Sequence, residues 1–480
     1  MALRLFNTLG RTVQDFVPIE EGKVGVYACG PTVYNFAHIG NLRAYVFEDE
    51  LRRTLEYLGY EVEHVMNVTD VGHLTDDADE GEDKIIKSAR EQGKSVWEIA
   101  QFFTDAFFHD VDRLNIRRPT VVCRATEHIQ QMIDLIKRIE AAGYTYQAGG
   151  NVYFDTEKFP NYGELALLER QQEQESRVEE DPNKKHPRDF VLWFTQSKFE
   201  RQAMVWDSPW GRGYPGWHIE CSAMSMHYLG EHFDIHCGGV DHIPVHHTNE
   251  IAQSEAATGR KWVNYWLHNE FLLMDTGKMS KSRGNFVTLS TLEEEGYEAL
   301  DYRYFLLGGH YQTQLMFTVD AMNAARNARR RLTERITALK EGTGLDRPTL
   351  AEVGLARPGA ADADVASAYL ARFKEAISDN LNVPKALGEG WNLLKERSVS
   401  DAQKLAVIID MDEVFGLGLA DAPVSRSIEE LPAEVQELIA ERARARKERN
   451  FARADEIRDT LKERGIVVED TPRGTRWKPV

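Results

Sequence analysis

Apolar residues recur along this chain with two different periods, and the switches between them divide it. Val24–Ala28 reads as a short strand. Gly40–Leu58 carries Leu42, Val46, Leu51, Leu55 and Leu58 on roughly one face, the signature of an amphipathic helix. Val62–Val68 alternates as a strand. Strand, helix and strand in that order predict the opening of a parallel α/β sheet with a right-handed crossover. An acidic, glycine-containing loop follows at Asp76–Asp83, then helices. Residues 120–207 break the pattern, and Arg170–Lys185 in their middle is highly charged and poor in apolar positions. That composition predicts an inserted domain with a mobile loop. The sheet pattern resumes at Phe233–His236 and ends around Asn285. Asp301–Leu417 reads as mostly helical, interrupted by the Gly/Pro/Ala-rich Glu341–Asp364, which predicts a flexible linker. After a further break at Ala420–Pro432 come one long charged helix, a strand opening with Gly465, and a Thr-Pro-Arg-Gly turn. No internal repeat is evident.

Composition narrows the class. The 480 residues predict two to four domains, and 42% hydrophobic with 28% charged residues is ordinary for a soluble globular protein. No run approaches the ~20 apolar residues of a membrane helix, and the N-terminus lacks the pattern of a secretory signal. Cysteines at 29, 123, 221 and 237 do not form a disulfide framework, which points to a reducing cytoplasm. The net charge of −19 argues at first against nucleic acid, but a polyanion is bound by a local patch. Glu441–Val480 holds 12 Lys/Arg against 8 Asp/Glu, and a second basic run begins at Arg326. Either run also reads as a solvated helix face.

Two short motifs suit a triphosphate. His38-Ile39-Gly40-Asn41 sits where the first strand hands over to the first helix. Unpaired N–H groups and the positive dipole end favour phosphate there, Gly40 permits close backbone approach, and His38 can donate to a phosphate oxygen. Alone, four such residues are common at helix starts. Lys278-Met279-Ser280-Lys281-Ser282 is a compact polar loop whose lysines are mobile point charges, useful where negative charge grows as pyrophosphate leaves. The two motifs flank one α/β core, and as a pair they resemble the signature of class I aminoacyl-tRNA synthetases; an Asn41 ending is common in the cysteine branch. In that resemblance the turn Gly238-Gly239-Val240-Asp241 approaches adenosine, with Asp241 on the ribose hydroxyls.

Seven of the 15 histidines fall between His218 and His247, beside Cys221 and Cys237, which suggests a metal site. His246 and Glu250, four apart, share one helix face, and thiolates are available at Cys221 and Cys29. His247, three before Glu250, is an alternative to His246.

The runs Cys29–Asn41, Pro215–Met224 and His246–Ser254 look like the cysteinyl-tRNA synthetase family almost residue for residue. The likeness continues more weakly through Asp379–Leu387 and returns in Glu469–Trp477. It implies one Zn2+ held by Cys29, Cys221, His246 and Glu250, accepting the substrate's thiolate and so rejecting serine. It implies a cysteine pocket walled by Trp217 and lined by Tyr27 and Thr69. His38, Lys278 and Lys281 become the catalytic groups, and His38, Gly40, Asn41, Gly238, Gly239, Asp241 and Lys281 the contacts to ATP with its Mg2+. Arg446, Phe451, Asp455, Asp470 and Trp477 become candidates for reading the anticodon of tRNA-Cys, although Trp477 equally suits a structural anchor. The implied protein is a cytoplasmic monomer. Cys123 reads as a buried small hydrophobe, Cys237 as a bystander thiol where the family more often has glycine, and His73 has no role.

The expected α/β architecture is then a Rossmann-like parallel-sheet catalytic core (1–119 and 208–315) with an inserted connective domain (120–207). A helical tRNA-binding bundle (316–425) and a small α+β anticodon-binding domain (426–480) complete it. Two rivals are a ligase joining cysteine to an amino-sugar on the same core, and a non-catalytic tRNA-binding paralogue. The first lacks a unit like Glu430–Val480, and the second is expected to have lost a zinc ligand or a loop lysine.

Overall fold

The computed structural model describes residues 2–71, 93–168, 181–196, 204–274, 277–278, 287–357, 364–424, 426–427, 431–471 and 474–479. The acidic loop 76–83, His73 and Lys281 lie outside the described residues, as does most of the charged stretch 170–185. Lys278 and Asp470 are described through their backbones alone.

Five parallel strands form the central sheet: β1 (Lys23–Ala28), β2 (Glu61–Val68), β3 (Val121–Arg124), β4 (Phe233–Gly239) and β5 (Val263–Asn269). Their spatial order is β5-β4-β1-β2-β3. Helices on both faces bury the inner strands almost throughout, including the polar positions of β4 and of the C-terminal half of β2. Helix α1 (Ile39–Tyr57) joins β1 to β2, α2 (Val96–Arg113) precedes β3, and α3 (Ile129–Ala141) follows it. Helices α4 (Trp217–Leu229) and α5 (His246–Thr258) flank β4 in sequence. A core of Val65, Ile133, Ile136, Met224, Phe233 and Trp262 fills the space beneath α3, α4 and α5. The strand order reverses between β1 and β4, which opens a crevice beyond their C-terminal ends.

The expected insertion from 120 differs at its start. Val121–Arg124 pairs in parallel with β2, from Val65↔Val121 to Val68↔Arg124, and so supplies the sheet's edge strand. Only four residues long and partly exposed, it lacks the apolar run that marks an inner strand. A separate antiparallel sheet follows, from Thr145–Ala148, Asn151–Phe154, Phe190–Phe194 and Tyr214–Pro215.

Helix α6 (Ala299–Leu307) is tied to α1 by a buried ionic knot. Asp49 meets Arg303 and Arg53, each at 2.6 Å, and accepts from the Arg117 backbone N–H at 2.9 Å. The Arg303 side chain is wholly buried.

The chain divides into two compact units: Met1–Arg326 with Lys374–Leu387, and Asn327–Phe373 with Gly388–Val480. The second is helical, drawing on α7 (Val319–Thr343), α8 (Val365–Ser378), α9 (Val383–Lys395) and α10 (Asp401–Phe415). Its C-terminal part holds two helices where the sequence pattern predicts one, α11 (Ala433–Lys447) and α12 (Phe451–Glu463). Arg449 adopts a φ of 60°, and the Asn450 side chain caps α12 by accepting from the Arg453 N–H at 3.2 Å. Three short strands, Arg426–Ser427, Ile466–Thr471 and Gly474–Pro479, pair beside them.

Candidate active site and metal centre

A cleft of about 380 Å³ opens at the strand reversal, lined by the chain leaving β1 and by residues of α1, β2, α2, α4, β4, α5 and β5. Its shape rests on backbone crossings that exclude side chains. A Cβ on Gly30 would lie 1.7 Å from the Asn67 carbonyl oxygen, so only glycine lets the chain leaving β1 cross the end of β2. Gly30 N–H donates to Asn67 Oδ1 at 2.9 Å, and Asn67 Nδ2 donates to Thr69 Oγ1 at 3.0 Å, which fixes Thr69 in the wall.

At one end, Cys29, Cys221, His246 and Glu250 present donor atoms that all lie within 4.8 Å of one another, every residue buried. Cys29 directly follows β1, Cys221 comes from α4, and His246 and Glu250 come from successive turns of α5. Glu250 is wholly buried, with His246 Nε2 at 2.8 Å and His236 Nε2 at 2.9 Å. Two imidazoles thus crowd a buried carboxylate, and two thiols, an imidazole and a carboxylate form a donor set suited to Zn2+.

Electrostatics agree with a charged cluster. Burial works to raise Glu250, but His246 and His236 outweigh it and hold the carboxyl below its ordinary range. Burial likewise opposes a charged His246, yet Glu250 and then Cys221 hold it well above the ordinary histidine value. Burial pushes the Cys29 thiol up, whereas the hydrogen bond with Cys29 lowers Cys221.

Residue identity alone does not single out the histidines behind this cluster. His236, on β4, belongs with His247, Cys29 and Glu250 to a second set of donors within 4.8 Å. His247 Nε2 is 3.4 Å from Cys29 Sγ, and its Nδ1 is 2.8 Å from His268 Nε2, whose other nitrogen meets Thr8 Oγ1 at 2.7 Å. His218 Nδ1 stands 2.9 Å from His246 Nδ1 and braces that ring. The density of histidines around 218–247 was the sequence signal for His218 and His236, His247 was also marked by its spacing to Glu250, and nothing marked His268.

Trp217, the first residue of α4, lines the cleft with its ring 5.3 Å from that of His246. Tyr27 does not line the cleft; it is fully buried, edge-on to His236 at 5.1 Å. Cys237 is buried on β4, paired in register with Ala28, and belongs to neither donor set. Cys123 is buried, its thiol 3.6 Å from the Met66 carbonyl.

The other end of the cleft is the start of α1. His38 is its N-cap: Nδ1 accepts from the Asn41 N–H at 3.0 Å while Asn41 Oδ1 accepts from the His38 N–H at 3.2 Å. With Nδ1 an acceptor, a neutral His38 ring carries its proton on Nε2. Gly238 and Gly239 face this helix start across the cleft, and a Cβ on Gly239 would meet Asp241 Oδ1 at 2.3 Å. The chain flanking the lysine-serine run converges here. Gly277–Lys278 pairs with Leu273 and Met274, Val287 accepts from the Ile39 N–H at 2.9 Å, and Thr288 bridges to His38.

In the C-terminal part, Arg446 lies on α11, and Phe451 and Asp455 on α12. Phe451 is 61% exposed, and Asp455 pairs with Arg458 at 2.9 Å. Trp477 packs against the cluster of Leu431, Val435, Ile439 and Ile457.

Comparison with known proteins gives this geometry a family. The model of the tRNA synthetases class I (C) catalytic domain matches residues 15–327, and that of the cysteinyl-tRNA ligase anticodon binding domain matches 429–477. A cysteine–tRNA ligase of Treponema denticola is 56% identical, covering 100% of both chains. One of Burkholderia lata, named cysteine–tRNA ligase 1, is 48% identical over 99% of this chain and 97% of its own. Among solved structures, a methionyl-tRNA synthetase of Mycobacterium tuberculosis bound by methionyl-adenylate shares the fold, with a TM-score of 0.54 at 17% identity over 90% of this chain and 96% of its own. The crevice at the strand reversal, the capped helix start and the thiol–imidazole–carboxylate cluster thus sit in a chain that belongs to the class I aminoacyl-tRNA synthetases, in the cysteine–tRNA ligase family.

Proposed function

We propose that this protein activates cysteine with ATP and transfers it to the 3′ end of tRNA-Cys. The observation that carries the reading is one cleft with a buried Cys29–Cys221–His246–Glu250 cluster at one end and a capped helix start at the other. The four residues would hold Zn2+, which when bound supplies a soft partner for the substrate thiolate. Serine, differing by one atom, sets the demand on that cluster. An apolar pocket discriminates by about 10–200-fold, against the ~10⁴ that protein synthesis requires. At about 1.4 kcal/mol per tenfold, the whole ~10⁴ corresponds to roughly 5–6 kcal/mol. Trp217 and Thr69 wall the substrate side, and Tyr27 supports it from behind.

ATP enters with Mg2+ and lies along the start of α1. His38 donates from Nε2 to a phosphate oxygen while its Nδ1 stays committed to the cap. Gly40, Asn41, Gly238 and Gly239 keep the backbone close to the nucleotide, and Asp241 accepts from the ribose hydroxyls. Cysteine's carboxylate attacks the α-phosphorus, and Lys281, assisted by Lys278, meets the charge growing on pyrophosphate. The terminal ribose hydroxyl of the tRNA then takes the cysteinyl group. Residues Arg446, Phe451, Asp455, Asp470 and Trp477 would contact splayed anticodon bases. The protein acts as a cytoplasmic monomer; no described helix is long and apolar enough to cross a membrane.

The test is cysteine-dependent ATP–pyrophosphate exchange, with serine compared over the same concentrations, followed by charging of tRNA-Cys. Exchange with cysteine alone supports the reading. Absence of exchange from folded, zinc-loaded protein rejects it.

A further inference from the structure

Within the cleft one acidic side chain has no task in the scheme above. Glu48, just over two turns into α1, lines the cleft and is only 2% exposed. Neither of its carboxyl oxygens has a hydrogen-bond partner among the described residues. The guanidiniums of Arg53 and Arg303 are committed to the adjacent Asp49. Asn269, the last residue of β5, lines the same cleft, and its side-chain oxygen is also buried and unpartnered among the described residues. Its amide nitrogen is turned away, donating to the Glu270 carbonyl at 3.2 Å. Three buried acceptor oxygens therefore face one cleft without a protein donor.

A buried acceptor left unsatisfied is costly and is tolerated where a ligand makes the missing bond. Two other carboxylates line the cleft. Asp241 is exposed on its turn, and Glu270 accepts from the Phe271 N–H at 3.2 Å. Glu48 is thus the buried, uncommitted one. Burial raises its pKa well above the usual carboxyl range.

We propose that Glu48 accepts a hydrogen bond from an amino group of a bound substrate. This rests on the reading that cysteine and ATP share the cleft. Each brings one such group, the ammonium of cysteine and the exocyclic amine of adenine, and both present several N–H bonds to several acceptors. An ammonium pairs with the ionised carboxylate, the proton held by the acid passing to solvent as the ligand binds, and a neutral amine pairs with the carbonyl oxygen of the acid.

Pyrophosphate exchange on the full-length enzyme tests it through Glu48→Leu and Glu48→Gln, with KM for cysteine and for ATP measured separately and ITP, which lacks the amine, as alternative nucleotide. The expected result is a rise of at least tenfold in one KM, with the other within twofold and kcat little changed. A rise for cysteine assigns the ammonium; a rise for ATP, with loss of the ATP-over-ITP preference, assigns adenine. The isosteric Gln variant turns N–H groups toward the donor and so raises the same KM, which keeps the test open if the Leu variant does not fold. Both KM values within twofold of wild type in a folded variant overturn the proposal and leave Glu48 a buried acid holding water. Wild-type protein without exchange would instead overturn the functional reading beneath it.

Discussion

Replacing Gly30 with alanine tests whether the backbone crossing between β1 and β2 sets the position of Cys29. The added Cβ would stand 1.7 Å from the Asn67 carbonyl oxygen and 2.8 Å from its carbon, both backbone atoms that no side-chain rotation can remove. Since Cβ contacts below 3.0 Å are essentially never seen, the two segments must part by at least the difference, 1.3 Å. Overpacking of this kind costs about 1–3 kcal/mol. Stretching the 2.9 Å bond from Gly30 N–H to Asn67 Oδ1 by that amount breaks it, at about 0.5–1.5 kcal/mol. The combined expectation is a loss of about 1.5–4.5 kcal/mol. Function should suffer more than stability. Cys29 is the next residue, and metal ligands tolerate only about 0.2 Å of error. A misplacement near 1 Å at the reacting centre costs ~10²-fold in rate. The assay is metal content by mass spectrometry, thermal unfolding and pyrophosphate exchange on the same preparation. Gly388→Ala is the control: it sits inside α9 with no atom within 4 Å of the added methyl and should gain about 0.5–1 kcal/mol. A Gly30→Ala protein with wild-type melting, metal content and exchange would refute the reasoning.

Three further expectations follow from the same geometry. Cys221→Ala should lose bound metal, and its cysteine-over-serine ratio should fall from ~10⁴ toward the 10–200-fold of an apolar pocket; a variant that keeps both defeats the metal account. His38→Asn separates two roles, because asparagine is also a good N-cap. It should melt within about 0.5 kcal/mol of wild type while exchange falls ~10²-fold or more, and unchanged exchange would leave His38 a cap only. Asp49→Asn strands the buried Arg303 guanidinium and should cost about 3–5 kcal/mol in urea unfolding. Burial alone would raise Asp49, but Arg303 and then Arg53 outweigh it and hold the carboxyl below its usual value. A lowered carboxyl pKa stabilises the fold above the unfolded value of ~3.9, and that contribution is lost as pH falls through the folded pKa. Wild-type stability should therefore drop below about pH 4 more steeply than that of Asp49→Asn, and parallel profiles would deny the coupling.

Local order was legible in the residues themselves. The alternation of Val62–Val68 and the apolar stripe of Gly40–Leu58 depend on neighbours along the chain, and both elements stand within a residue of their expected bounds. The break between α11 and α12 was hidden because a charged run reads as continuous helix, whereas the φ of Arg449 and the Asn450 cap depend on the conformation the chain adopts. Val121–Arg124 looked like the start of an insertion because a four-residue edge strand carries too little pattern to announce its partner.

The candidate site shows the same division. The residue types at Cys29, Cys221, His246 and Glu250 stand in the sequence, and the spacing of the last two fixes a shared helix face. Their convergence to within 4.8 Å, the second donor set through His236 and His247, and the uncommitted carboxyl of Glu48 do not. These depend on the order β5-β4-β1-β2-β3, which brings residues some 200 positions apart to one crevice. Sequence by itself determined periods, caps and residue chemistry, because those are set by near neighbours. Only tertiary structure decided which donors share a burial site and which acceptor is left without a partner, because a hydrogen bond or a metal site is fixed by distances across strands and helices.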